Sequence, residues 1–100
     1  MAFVSQLIND NGNPAARQFV IESPSGHGKY FQSYNSVVCH LSGNNIILSL
    51  DWEYSNTTMK HLYMFLRQNG YYTYNSAKAV RKGIKNGEIA LAEVSSLEVI

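Results

Sequence analysis

Apolar positions in the first half of the chain mostly alternate with a period of two, whereas those of the second half recur every three or four residues. The first pattern suits strands with one buried face and the second suits amphipathic helices, so the chain reads as a sheet followed by helices. Residues 2–9 are the exception. Phe3, Val4, Leu7 and Ile8 stand at i, i+1, i+4 and i+5, the spacing of one helical face, until Asn9-Asp10-Asn11-Gly12-Asn13-Pro14 interrupts it. A short N-terminal helix is expected there, with a strand as the competing reading.

Arg17–Ser23 carries Phe19, Val20 and Ile21, is broken by Pro24-Ser25-Gly26-His27-Gly28, and is followed by Lys29–Tyr34, where Tyr30, Gln32 and Tyr34 alternate with Phe31 and Ser33. This predicts a hairpin with a long, mobile tip, and with Tyr30 and Tyr34 half-buried on one strand face. Val37–Leu41 directs Val37, Cys39 and Leu41 to one face and Val38 and His40 to the other, and Ile46–Leu50 directs Ile46, Leu48 and Leu50 alike. Ser42-Gly43-Asn44-Asn45 between them holds the residues that tolerate positive φ, so a second hairpin is predicted.

Beyond Ser55-Asn56-Thr57-Thr58, a set of candidate N-caps, Met59, Leu62, Tyr63, Phe65 and Leu66 recur at helical spacing up to Asn69-Gly70. A helix over about 57–68 follows. Asn75 or Ser76 caps a second helix with Ala77, Val80 and Ile84 on its apolar face, closing at Asn86-Gly87. Ile89–Val94 and Leu97–Ile100 supply one or two closing strands. The expected fold is a single α+β domain over residues 1–100, an antiparallel sheet of four to five strands with two helices packed on one face.

A chain of 100 residues, 45% of them apolar or aromatic, can build one modest core, and a homodimer is an ordinary way to cover what remains exposed. The single cysteine, Cys39, excludes an intrachain disulfide and a cysteine-based zinc cage, and reads as a small buried hydrophobe. Met1–Asp10 lacks a basic stretch followed by a long apolar one, and no run approaches the roughly 18 apolar residues of a membrane span. A cytoplasmic protein without membrane contact is expected.

Charge alters this picture. The formal net charge is +1, yet Tyr54–Gly87 holds Lys60, Arg67, Lys78, Arg81, Lys82 and Lys85 and no acid. On the second helix Lys78, Arg81, Lys82 and Lys85 fall at i, i+3, i+4 and i+7, within an arc of about 100°. Cations near a helix C-terminus complement its dipole, but a surface helix usually mixes both signs, so the missing acids point to an acidic partner. Lys60 and Arg67, seven apart, share a face of the first helix. Tyr71, Tyr72 and Tyr74 lie in the connection, where three tyrosines are hard to bury together, and are expected as exposed contact residues. These nine residues form the candidate partner-binding face. Two helices joined by a short turn also outline a helix-turn-helix, which keeps nucleic acid among the partners, although Gly83 weakens the second helix. A third reading is a sponge for a small anionic nucleotide, with rings on bases and cations on phosphates.

Chemistry has little support. His27, His40 and His61 show no metal-ligand spacing with one another or with an acid. Cys39 and His40 are adjacent on a strand and face opposite ways, so no nucleophile–base pair arises. No phosphate loop, catalytic residue, metal site or cofactor is expected. Asp51 and Glu53 precede the first helix, where negative charge is favourable, and Trp52 is expected to anchor that helix on the sheet.

Tyr30-Phe31-Gln32-Ser33-Tyr34-Asn35-Ser36 and Asp51-Trp52-Glu53-Tyr54-Ser55-Asn56-Thr57-Thr58-Met59-Lys60-His61, with Phe65-Leu66, resemble a family of small proteins encoded by tailed bacteriophages. Its pattern is F-x-S-Y-N-T/S, a hairpin, and W-x-Y-S-x-T-T-x-K-H/Y-x-x-x-F-L, and the likeness covers residues 30–66. The resemblance transfers no functional residue. It implies a phage accessory protein in a bacterial cytoplasm, similar in kind to anti-CRISPR and other anti-defence inhibitors that bind a host or defence protein directly. With only seven acids, the chain departs from the acidic DNA mimics among them.

Overall fold

The computed structural model describes residues 3–23 and 28–92 and shows an α+β fold with a mixed sheet of six strands. The strands β1 (Phe3–Ile8), β2 (Pro14–Glu22), β3 (Lys29–Ser33), β4 (Ser36–Ser42) and β5 (Asn45–Ser49) form an antiparallel meander. Helices α1 (Asn56–Gln68) and α2 (Ala77–Lys85) follow, and β6 (Ile89–Ala92) returns to pair with β5 in parallel. The spatial order is the sequence order, β1 to β6.

This corrects the expected strand number, four to five, and the expected all-antiparallel pairing. The first added strand is β1, where a helix was anticipated. Six residues are too few for a self-supporting helix, and β2 offers backbone partners from Phe3↔Glu22 to Gln6↔Phe19. The asparagine-rich turn favours the hairpin too, because Asn9 Oδ1 accepts from the N–H groups of Asn11 and Asn13, both at 3.0 Å. The second addition is β6, parallel to β5 because two helices provide the crossover. Residues 24–27 of the anticipated hairpin tip and residues 93–100 of the anticipated closing strands lie outside the described residues.

One face of the sheet carries the core. Phe31, Cys39, Leu41, Ile46, Leu48 and Ile89 meet Leu62, Phe65 and Leu66 of α1 and Val80 of α2 in one cluster, with Phe31 and Phe65 stacked 5.5 Å apart. Fully burying side chains of this size stabilises by roughly 1.5–3 kcal/mol each. Trp52 is 3% exposed and belongs to the same cluster, in keeping with its expected anchoring role. Val38 departs from strict alternation. Phe31 pairs with Cys39 but Gln32 with Val37, so Val38 is a bulge residue and is buried alongside Cys39. On the opposite face Tyr30 is fully buried, not half-buried, and its ring stacks on His40 at 4.1 Å.

Both helices start on a serine. Ser55 Oγ accepts from Thr58 N–H and Ser76 Oγ from Ala79 N–H. Both end on glycine, Gly70 and Gly87, at φ 92° and 81°. Gly83 within α2 has a packing reason: a Cβ there would lie 2.7 Å from Cε1 of Tyr74 and 2.9 Å from Cδ1 of Ile89. The glycine lets the connection and β6 close on the helix. Among the described residues no helix is long and apolar enough to cross a membrane.

Candidate functional site

The basic face and a polar cleft occupy different parts of the molecule. Helix α2 lies against β6, with Val80 and Gly83 buried and Lys78, Arg81, Lys82 and Lys85 exposed. The four stripe residues therefore share the solvent side of α2. The arginines differ from the lysines. Arg81 forms an ion pair with Glu53, stands 6.0 Å from the Trp52 ring centroid, and has its pKa raised by the Glu53 hydrogen bond and charge. Arg67 forms an ion pair with Asp10 in the β1–β2 turn. Acids absent from the segment thus reach it from elsewhere in the fold.

Lys60, Lys78, Lys82 and Lys85 are exposed and form no ion pair among the described residues. Lys60 lies on α1, whereas the other three project from α2 at i, i+4 and i+7. Arg67 is turned to the β1–β2 side by Asp10, so it does not extend the α2 stripe.

The tyrosines divide as well. Tyr71 and Tyr74 are half-buried against the core, their ring centroids 6.5 Å apart, and only Tyr72, 69% exposed, is free to meet a partner. Burial raises the Tyr74 pKa, with Glu88 adding to the effect, and burial likewise raises that of Tyr63 next to the Arg81–Glu53 pair. Of the three tyrosines expected at the surface, the structure exposes one. Aromatic side chains in so short a connection pack over Gly83 and the end of α1 because that removes apolar area from water.

The cleft lies at the N-terminal end of α1. It measures about 590 Å³ and is bounded by Ser33–Ser36 from the β3–β4 turn, Val38, Asp51 and Tyr54 from the β5–α1 connection, and Ser55, Thr57 and Thr58 from the helix start. All of these except Val38 fall within residues 30–36 and 51–61. Tyr34 is an exposed turn residue at φ 55°, rather than a strand residue paired in face with Tyr30. Its N–H donates to the carbonyl of Arg17, itself at φ 61°, at 2.8 Å. Two bulky residues in the left-handed region, each costing of order 1–3 kcal/mol, hold this corner together.

Sequence reasoning missed the cleft because its residues fall in two segments, 33–38 and 51–58, separated along the chain by the β4–β5 hairpin, and are unremarkable singly. The available signal was the density of Ser, Thr, Tyr and Asn in both segments. Cys39 is fully buried, and burial pushes its thiol pKa far up. Among the described residues, no group of three or more His, Cys, Asp or Glu side chains is placed to hold a metal ion.

A family described as a family of unknown function (DUF8033) matches residues 3–85. No curated protein and no solved structure matches the chain.

Proposed function

With membership of the DUF8033 family, of unknown function, as the premise, we propose that this chain is a non-enzymatic binding protein that holds an acidic protein surface against α2. Lys78, Lys82 and Lys85 carry the reading. They are exposed on one side of a nine-residue helix with no ion pair among the described residues, while the neighbouring arginines are already matched to Glu53 and Asp10. Unmatched like charges on one face repel one another, and an acidic surface converts that repulsion into attraction. Tyr72 adds an exposed ring with few rotatable bonds. In the setting that the resemblance implies, this is a small phage inhibitor acting on a host or defence protein, of the anti-CRISPR or anti-defence kind, in the bacterial cytoplasm.

Nucleic acid is the competing partner. Its observation is the i, i+4, i+7 lysine spacing on an exposed helix, which a phosphate backbone can also read. The nucleotide sponge has less support, since Tyr71 and Tyr74 pack on the core and cannot both stack on a base.

Capture from bacterial lysate, with and without nuclease, tests the proposal. A protein should be retained in both arms and lost when Lys78, Lys82 and Lys85 are all changed to Glu. Arg67→Ala should leave capture intact, because Arg67 already has a partner. Retention that vanishes with nuclease, or a charge-reversed helix that captures as well as before, overturns it.

A further inference from the structure

We propose that the cleft at the N-terminus of α1 is a binding site for a neutral, hydroxyl-rich ring, of the chemical class of a mono- or disaccharide. The site is independent of the basic face of α2.

Not all of the polar groups lining the cleft are available to a ligand. Ser33 and Thr58 share a buried hydrogen bond of 2.9 Å, and Ser55 Oγ donates to Thr58 Oγ1 at 3.1 Å while accepting from the Thr58 N–H. These three hydroxyls fasten β3 to the start of α1 and form the rigid wall of the cleft. The Asp51 carboxylate, the Asn35 carboxamide, the Ser36 and Thr57 hydroxyls and the phenols of Tyr34 and Tyr54 remain.

That set decides the ligand class. It combines an acceptor-only carboxylate, a carboxamide with both donors and acceptors, and hydroxyls that do either. A sugar hydroxyl is likewise donor and acceptor at once, so a ring bearing several satisfies both kinds of group. A cationic ligand would meet Asp51 but leave the donors of Asn35 and the hydroxyls facing more donors. An anion would meet the Asp51 carboxylate, and among the described residues no Lys, Arg or His lines the cleft to offset it.

The aromatic content points the same way. Tyr34 and Tyr54, 39% and 79% exposed, leave ring surface in water at the cleft. The negative face of a tyrosine ring suits the polarised C–H side of a sugar. A volume of about 590 Å³ lies within the roughly 300–1,000 Å³ of small-molecule sites. Tyr34 is kept there in a strained backbone conformation, fixed by its bond to Arg17, and strain of this kind gathers where a side chain must be held for a ligand.

The test is NMR on the full chain with glucose, galactose, mannose, N-acetylglucosamine, lactose and maltose, reading saturation transfer to the sugar and amide shifts in the protein. At least one of the six should bind with a dissociation constant in the millimolar range and shift Asn35, Asp51, Tyr54 and Thr57. Tyr54→Ala should weaken that binding about three- to tenfold. Asp51→Asn should also weaken it, and the triple Lys→Glu variant of α2 should bind undiminished, which separates this site from the partner-binding face. The proposal is overturned if no sugar shifts these amides at tens of millimolar, if Tyr54→Ala binds as well as the parent while its amide spectrum stays folded, or if agmatine, the cationic control, binds the cleft more tightly than every sugar.

Discussion

The Ser33 and Thr58 hydroxyls meet at 2.9 Å in the wall of the cleft, joining the last residue of β3 to the first turn of α1 across 25 residues of chain. Both residues are almost completely buried, at 3% and 2% exposure. Losing the Thr58 hydroxyl strands that of Ser33, whereas Thr58 keeps Ser55 Oγ when Ser33 is changed. Thr58→Ala should therefore lower stability by about 1–3 kcal/mol, and Ser33→Ala by less. The double change should cost less than the sum, because Ser33 has already lost its partner in Thr58→Ala. Urea unfolding of the four proteins in a double-mutant cycle measures the coupling, and strict additivity would show the bond to be unimportant.

Gly83→Ala pits two effects against each other. Alanine favours a helix interior by about 1 kcal/mol over glycine. The new Cβ, however, would sit 2.7 Å from the Tyr74 ring and 2.9 Å from the Ile89 methyl, an overpacking that costs about 1–3 kcal/mol. The Ile89 methyl is the end of a flexible side chain, but the ring is anchored beside Tyr71, so the clash should win. Thermal melts should show a lowered midpoint, partly restored in Gly83→Ala/Tyr74→Leu.

The buried Cys39 thiol makes stability fall on the alkaline side. Its folded pKa is raised, so the folded state keeps the proton while the unfolded thiol releases it above about pH 8.5. The stability is fully present below that value and declines as pH rises beyond it. Tyr63 and Tyr74 act in the same direction at higher pH. Guanidinium unfolding of wild type and Cys39→Ala between pH 7 and 10 should show the wild type losing stability more steeply. Parallel curves would remove the thiol from the explanation.

Relief of strain should separate stability from binding at the cleft. Glycine occupies the left-handed region without the steric cost that Arg17 and Tyr34 bear. Tyr34→Gly should leave chemical-denaturation stability unchanged or raised by up to about 1 kcal/mol while weakening saccharide binding. Arg17→Gly should give a similar stability result with binding retained. A large stability loss in Tyr34→Gly would mean that the ring, and not its backbone, holds this corner.

Elements whose signal is local were readable from sequence: α1 and α2 with their glycine ends and sets of candidate caps that included Ser55 and Ser76, and the β4–β5 hairpin at Ser42–Asn45. What eluded it is decided by partners distant in the chain. Phe3, Val4, Leu7 and Ile8 satisfy a helical period, yet the backbone of β2 settles their conformation. The bulge at Val38 depends on the register against Phe31 and Gln32, which no pattern within β4 records. The basic segment was legible as composition, but the pairings of Arg67 with Asp10 and Arg81 with Glu53 are products of folding. The same holds for the cleft, whose two walls meet only when α1 docks on β3.

The parallel pairing of β5 with β6 makes the four residues Ile89–Ala92 the clasp of a long loop, residues 50–88, that contains both helices. Closing so long a loop costs entropy before any contact rewards it, so the clasp belongs late in folding, after the five-strand meander. The platform of the lysine-bearing helix is thus expected to assemble last. Trimming the chain before Ile89 should leave the meander its local hairpins and deprive α2 of the strand it rests on. On the proposed reading, a partner of the lysines meets only a chain whose clasp has closed.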